Sequence, residues 1–336
     1  MKDSKNIAII VPAYNAEKTV KRCLDSIIGQ TVSDFEVYVV NDGSTDNTAN
    51  IISQYKKDKR FKVIHIPNSG VSVARNRALE IINTKYVTFI DSDDYVDKNY
   101  LRDLISGFVS DDIDVVATDR KYLDENLMSV AELKYSYGIY GAEDGINILL
   151  DENGPQGYIT GKMFKTNIIR NNNIRLDSKI HIGEDLVFCV QYLLNARKIN
   201  IVSSKQYNYI QFKDSLSHAA TLYNRQKNFK EAYLNYLSMG QKLEKIVPNQ
   251  SKYNLCHVNI KARIARICED FLRTMYLNKD TVEIDRGLEK KIIEIMSLYK
   301  DDFYKSSLIS EKQKIYFWLL NHCPVLIQLS DRRRFK

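Results

Sequence analysis

Between residues 7 and 118, five short apolar runs are separated by four amphipathic stretches, and no other feature constrains the fold as tightly. The runs lie at 7–11, 35–40, 61–66, 86–90 and 113–118, and the stretches at 17–29, 46–57, 71–83 and 97–109. In the first stretch, Val20, Cys23, Leu24, Ile27 and Ile28 recur at helical spacing. Continuous apolar runs alternating with helices, joined by short loops, predict a parallel sheet covered by helices. In such a sheet ligands bind outside the carboxyl ends of the strands, so the residues that follow each strand are the ones to read for function.

Those residues are not ordinary loop filler. The first strand runs into Pro12-Ala13-Tyr14-Asn15, the second into Asn41-Asp42-Gly43-Ser44-Thr45-Asp46, the third into Pro67-Asn68-Ser69-Gly70 and the fourth into Asp91-Ser92-Asp93-Asp94. A parallel sheet gathers all four on one edge. Tyr14 is suited to stack on a base, and Asp42 to accept a hydrogen bond from a base imide. Asp91 and Asp93 offer hard oxygen ligands for Mg²⁺ or Mn²⁺, which would neutralise both the carboxylates and a diphosphate. Each piece also has a plainer reading. Asp, Asn, Ser and Gly favour turns and helix caps, D-x-D triplets arise by chance, and tyrosines usually pack. Asp112-Ile113-Asp114 is such a second triplet, but it sits at the start of a strand, on the other edge.

Composition removes several classes. The five cysteines form no CxxC pair, and the five histidines show no HxxxH spacing, which argues against a disulfide framework or a zinc hydrolase and fits a reducing cytoplasm. The N-terminal apolar run is too short for a signal peptide, and no stretch reaches the roughly 18–20 apolar residues that span a bilayer. Pro12-Ala13-Tyr14-Asn15 is not the G-x-G-x-x-G turn of a dinucleotide-binding oxidoreductase. The +7 net charge is uneven: residues 221–336 hold 22 Lys+Arg against 13 Asp+Glu, residues 1–220 hold 27 against 29. A basic final third suggests a nucleic-acid or anionic-membrane binder, but carboxylates at several strand ends would repel phosphates without a metal. No nucleic-acid partner is expected.

The stretches "VPAYNAEKTVKRCLDSIIGQTVSDFEVYVVNDGSTDNT", "NSGVSVARNRAL" and "YVTFIDSDD" together resemble the family 2 glycosyltransferases, in order and spacing across residues 5–218. The resemblance implies the GT-A fold: an α/β domain with a Rossmann-like, mostly parallel sheet, helices on both faces and a metal-binding D-x-D. Carried onto this chain, it places the nucleotide at Pro12, Ala13, Tyr14, Asn15 and Asp42, and the diphosphate and sugar at Asn68, Gly70, Ala74 and Arg75. Asp91, Ser92 and Asp93 match the D-x-D, with Asp93 the direct metal ligand. "GEDLVF" resembles the family's E-D motif at a helix start, which implies Asp185 as catalytic base with Glu184 beside it. By themselves these are also the first-turn acids that a helix dipole favours.

One segment departs from the pattern. Relatives in capsule and exopolysaccharide synthesis carry "GYxWNKLFK", where this chain has Gly157-Tyr158-Ile159-Thr160-Gly161-Lys162-Met163-Phe164-Lys165. Tyr158 and Lys162 are therefore expected at the sugar and acceptor pocket, with sugar identity the open question. His218, in "YNYIQFKDSLSH", is either a ligand for the metal or diphosphate or a plain loop residue.

The expected organisation is a catalytic domain over 1–218, with a nucleotide-sugar half to 118 and an acceptor half from 119, and a helical region over 219–336. The segment 184–197 reads as a helix, and 199–203 and 206–211 as two strands. The end of the chain is apolar at 315–320 and 325–329, broken by Pro324 and closed by Arg332-Arg333-Arg334. It is either a core helix with a solvated basic tail or a helix lying on anionic lipid. The expected reaction is inverting, metal-dependent transfer from a UDP-sugar to a hydroxyl of a glycan or lipid-linked glycan. The expected location is cytoplasmic, either free or peripheral on the inner face of the membrane, and the chain acts either alone or as a homo-oligomer.

Overall fold

The structure, a computed structural model, describes residues 6–131, 136–151, 156–212, 229–277 and 286–322. Its first half follows the sequence alternation closely: β1 (Ile7–Ala13), α1 (Val20–Ile28), β2 (Phe35–Asp42), α2 (Thr48–Ser53), β3 (Phe61–Ile66), α3 (Val71–Leu79), β4 (Tyr86–Phe89), β5 (Tyr95–Val96) and α4 (Tyr100–Ser106). Then come β6 (Ile113–Asp124), β7 (Ser129–Ala131), β8 (Gly138–Gly141), α5 (Ala142–Leu150), β9 (Lys162–Lys165), α6 (Thr166–Asn171), α7 (Glu184–Leu193) and β10 (Lys198–Gln211). The strands form one sheet in the order β3-β2-β1-β4-β9-β6-β10-β5, with β7 on β6 and β8 on β10.

Strands β3, β2, β1 and β4 are mutually parallel, so their carboxyl ends do share one edge. All seven residues of β1 are buried, as a strand covered on both faces requires. Alternate residues divide between the faces: Ile7, Ile9 and Val11 join Val20, Cys23, Leu24 and Ile27 of α1 and Leu101 and Leu104 of α4 in one core. Of the expected helical stripe of α1 only Ile28 faces solvent. On the opposite face, Phe89 of β4, Phe164 of β9 and Phe188 of α7 meet edge to face at 5.7–6.1 Å, and Tyr192 packs 4.9 Å from Phe164. Aromatic pairs of this kind contribute about 0.5–1.5 kcal/mol beyond their buried area, and here they clamp α7 to the sheet.

The sheet is mixed: β1, β2, β3, β4, β6 and β10 run the same way, and the remaining strands oppose them. β9 runs antiparallel between β4 and β6, and β5, β7 and β8 pair antiparallel at the periphery. A four-residue run, Lys-Met-Phe-Lys, carries too little periodicity to announce a strand. The expected pair of strands at 199–203 and 206–211 is the single strand β10, whose register on β6 slips between Val202 and Tyr207. Asp112-Ile113-Asp114 lies at the start of β6, and Asp114 is spent on Lys165 and Arg197, so that triplet is structural.

The chain divides into two units, Met1–Lys179 with Glu184–Phe212, and Ile180–Gly183 with Lys213–Lys336. The boundary expected near 218, and His218 itself, fall outside the described residues. The second unit holds α8 (Phe229–Ile246), α9 (Asn254–Leu277), α10 (Arg286–Leu298), α11 (Lys300–Lys305) and α12 (Glu311–His322). Within it α9 packs on α8, α10 and α11, Phe303 stacks on Phe317 at 4.1 Å, and Ser306 Oγ donates to Asn259 Oδ1 at 2.7 Å. Pro324 and Arg332–Arg334 lie outside the described residues.

Candidate active site

The loop after β1 and the loop after β2 are locked together. Asn15, with φ of 45°, accepts from the Thr45 N–H at 2.9 Å, and its own N–H donates to Ser44 Oγ at 3.0 Å. Gly43 has φ of 68°, and a Cβ there would stand 2.5 Å from the Asn68 nitrogen, so the second and third loops touch backbone to backbone only because residue 43 is glycine. Asp42 completes the link: its Oδ1 accepts from Ser69 N–H and its Oδ2 from Gly70 N–H, both at 2.8 Å. Asp42 is 3% exposed and holds the third loop. Pro12, Ala13 and Ala74 are buried and contribute shape, whereas Tyr14, 48% exposed, presents its ring to solvent. Asn68 and Gly70 are exposed at the same edge.

The D-x-D segment follows β4. Asp91, Asp93 and Asp94 bring carboxylate oxygens within 4.8 Å of one another, the one group of potential metal ligands of this kind among the described residues. Burial, and then the charge of Asp91, push the Asp93 carboxyl up to about 6. Such crowding of partly buried carboxylates is the donor set that a hard divalent cation fits. Asp94 differs from its neighbours. It is fully buried, accepts from Tyr207 OH at 2.6 Å and from the Ile210 N–H at 2.8 Å, and so anchors the segment to β10. Arg22 Nη2 donates to the Asp93 carbonyl at 2.7 Å and the Cys23 thiol to the Asp91 carbonyl at 3.4 Å, both from α1. Ser92 is half-buried between the two acids.

Arg75, on α3 and 3% exposed, joins this segment to the acid pair that opens α7. Its Nη2 donates to Asp91 Oδ1 at 2.7 Å, its Nη1 donates to Asp185 Oδ1 at 2.8 Å, and Glu184 Oε1 is 3.6 Å from Nη1. Burial alone would weaken the guanidinium's hold on its proton, but Asp185, Asp91 and Glu184 outweigh it and keep Arg75 charged. Asp185 Oδ2 accepts from the Ile159 N–H at 3.2 Å. Burial raises the Asp185 carboxyl, with Arg75 opposing, and pushes Glu184 up to about 7, with Asp185 adding to the rise.

Lys162 is 2% exposed, and Nζ donates to the carbonyls of Tyr158 at 2.6 Å and Gln156 at 3.1 Å. Tyr158 lies 4.4 Å beneath the guanidinium carbon of Arg120. Gly161 has φ of 70° and would place a Cβ 3.5 Å from Arg120 Nη2, so the departure from Asn at this position goes with a left-handed turn against Arg120. Asp94, Tyr207, Arg22 and Arg120 were not singled out in the sequence. The third acid in Asp91-Ser92-Asp93-Asp94 was the one available signal; the rest meet the site only through tertiary contact.

Three comparisons with known proteins bear on this geometry. Residues 8–165 match the family described as Glycosyl transferase family 2. Over 80% of both chains, the protein is 26% identical to the uncharacterized glycosyltransferase YibD of Escherichia coli. It is 28% identical to poly(ribitol-phosphate) beta-N-acetylglucosaminyltransferase TarS of Staphylococcus aureus over 67% of this chain, which spans 38% of TarS. The crystal structure of S. aureus TarS 1-349 in complex with UDP-GlcNAc superposes with a TM-score of 0.64 at 21% identity, covering 88% of this chain and 92% of that one. At that identity the superposition speaks for the fold, GT-A with a C-terminal helical region. Residues 8–165 are thus a family 2 glycosyl transferase domain, and the chain is a glycosyltransferase.

Proposed function

We propose that the chain is an inverting, divalent-metal-dependent glycosyltransferase that moves a sugar from a UDP-sugar to a hydroxyl of a cell-surface glycan, free or lipid-linked. The observation that carries this reading is the Arg75 bridge, which holds Asp91 of the D-x-D segment and Asp185 of the acid pair at the two ends of one guanidinium. Asp93 with Asp91 would hold Mn²⁺ or Mg²⁺, whose charge, when bound, offsets the charge that collects on a departing diphosphate. The exposed Tyr14 ring stacks on the base, and Asp42 orders the loop beside it. Asp185 removes the proton from the acceptor hydroxyl. The hydroxyl oxygen bonds to the anomeric carbon from the face opposite the leaving group, the carbon–oxygen bond to the diphosphate breaks, and configuration inverts. Arg75 keeps Asp185 ionised for that step and aims one of its oxygens, while Ile159 N–H holds the other.

UDP is favoured because the TarS structure that shares this fold holds UDP-GlcNAc, and a polyol or glycan acceptor because TarS acts on poly(ribitol-phosphate). No helix among the described residues is long and apolar enough to cross a membrane. Work at the inner membrane surface is supported by α12, which exposes Ile315 (60%) and Trp318 (48%) ahead of the basic end of the chain.

The test is thermal unfolding with UDP, GDP and CDP, each with and without Mn²⁺, followed by transfer assays with the corresponding nucleotide sugars. Metal-dependent stabilisation by UDP and release of UDP from one UDP-sugar is the expected result. A response to GDP or CDP alone would replace the base, and no metal-dependent response to any nucleotide would remove the proposal.

A further inference from the structure

Two buried cations meet one short piece of main chain beside the acid pair. Lys162 Nζ donates to the carbonyls of Gln156 and Tyr158, at 3.1 and 2.6 Å, and Arg120 Nη2 donates to the carbonyl of Thr160 at 2.9 Å. Carbonyls 156, 158 and 160 are therefore captured in alternation, and the N–H between the last two, that of Ile159, is the one that reaches Asp185 Oδ2. Arg120 is held in turn by aromatic rings: Tyr158 at 4.4 Å, Tyr207 at 5.6 Å and Tyr209 at 5.9 Å from its guanidinium carbon. Beyond the clamp, the Lys162 carbonyl accepts from Thr88 Oγ1 at 2.8 Å and the Gly161 carbonyl from the Thr118 N–H at 2.9 Å, which pins the segment to β4 and β6.

Removing a lysine and an arginine from water is costly unless their charges are used, and hydrogen bonds from a cation to a carbonyl are about twice as strong as neutral ones. Surface threading of residues 156–161 would not need either cation. We propose that Lys162 and Arg120 are positioning residues for the catalytic base: they clamp residues 156–160 so that the Ile159 N–H orients the Asp185 carboxylate. The inference rests on the reading of Asp185 as the base. It replaces the expectation that Lys162 contacts sugar or acceptor directly, because Lys162 is 2% exposed. It also supplies a reason for the site's charge balance. Arg75 from α3 and Lys162 from β9 both act on Asp185, while Arg120 and the Cys189 thiol act on Lys162. Burial brings Lys162 down to about 8, with Arg120 adding to the fall and Asp185 opposing it.

The test compares K162M and R120K with wild type and with D185N, in the full chain. Metal-dependent stabilisation by UDP reports the donor site, and steady-state transfer gives kcat, the donor KM and the pH profile. K162M is expected to lower kcat by about 10- to 100-fold with little change in donor KM or in UDP stabilisation, the size of effect that misplacement of a catalytic group produces. It is also expected to move the acid limb of kcat to higher pH, since a positive charge facing Asp185 is lost; a merely structural lesion would leave that limb in place. R120K retains the charge, loses the planar stacking, and is expected to lower kcat without moving the limb. Should K162M fail to fold, the kcat-against-KM split in R120K decides. If D185N keeps wild-type turnover, the assignment of the base fails. If D185N is inactive while both clamp variants keep wild-type kcat, donor KM and pH profile, the clamp alone is overturned.

Discussion

Arg75 Nη1 lies 2.8 Å from Asp185 Oδ1, and the same guanidinium reaches Asp91 from its other arm at 2.7 Å. These residues are separated by 110 and 16 positions in sequence, so one side chain on α3 sets the spacing between the Asp91 segment after β4 and the start of α7. Removing one member of a buried charge cluster strands the others. R75M should therefore cost about 3–5 kcal/mol in urea unfolding and abolish transfer. R75K keeps a charge but loses the two-armed geometry, and should fold better than R75M while remaining far below wild type in kcat.

D185N preserves shape and removes the base we propose. Transfer should fall by about 10²–10⁴-fold, while UDP and Mn²⁺ still raise the melting temperature. E184Q should be much milder in kcat, because Glu184 Oε1 stands 3.6 Å from Arg75 rather than within hydrogen-bond reach. Equal losses in the two variants would shift the base assignment to the pair as a unit.

Glu184 also governs stability through pH. Burial, then Asp185, raise its carboxyl from 4.5 to about 7 in the folded chain. The folded state then binds the proton more tightly than the unfolded one. Its contribution is complete below about 4.5 and is lost as pH rises through about 7. Unfolding curves at pH 5 and pH 8 should show E184Q gaining on wild type at the higher pH; parallel behaviour would contradict the raised value.

Asp93 is the direct ligand in our reading, whereas Asp94 is an anchor. Wild type at about 100 times the dissociation constant of the UDP–metal pair should gain about 2.7 kcal/mol. D93N should lose the metal-dependent part of that gain and keep its own stability. D94N should instead destabilise the fold, since its carboxylate accepts from Tyr207 and Ile210 in full burial.

Gly157 admits α7 to the sheet. A Cβ at this position would stand 2.4 Å from Leu186 Cβ, and Leu186 follows Asp185 directly. G157A should cost about 1–3 kcal/mol by overpacking and reduce kcat more than donor KM, because the strain is relieved by moving Asp185, the base we propose. An unchanged kcat would mean that α7 yields without carrying Asp185 with it.

The strand–helix alternation of the first 118 residues, the four polar strand ends and the E-D helix start were all readable in the sequence, because local periodicity and turn chemistry encode them directly. From parallel strands alone it followed that Tyr14, Asp42, Asn68 and Asp91 share an edge. The sequence could not say that Asp42 spends itself on the Ser69 and Gly70 amides, that Asp94 faces inward to Tyr207, or that Lys162 is buried. Nor could it place β9 antiparallel between β4 and β6, since four residues are too few to show a period. Those outcomes depend on long-range packing, which decides whether a polar side chain meets water, a ligand or main chain. The sequence determined which chemical groups were available and which edge of the sheet they occupy. Tertiary structure decided which of them face a substrate and which, like Arg120 and Lys162, hold the backbone that aims the others.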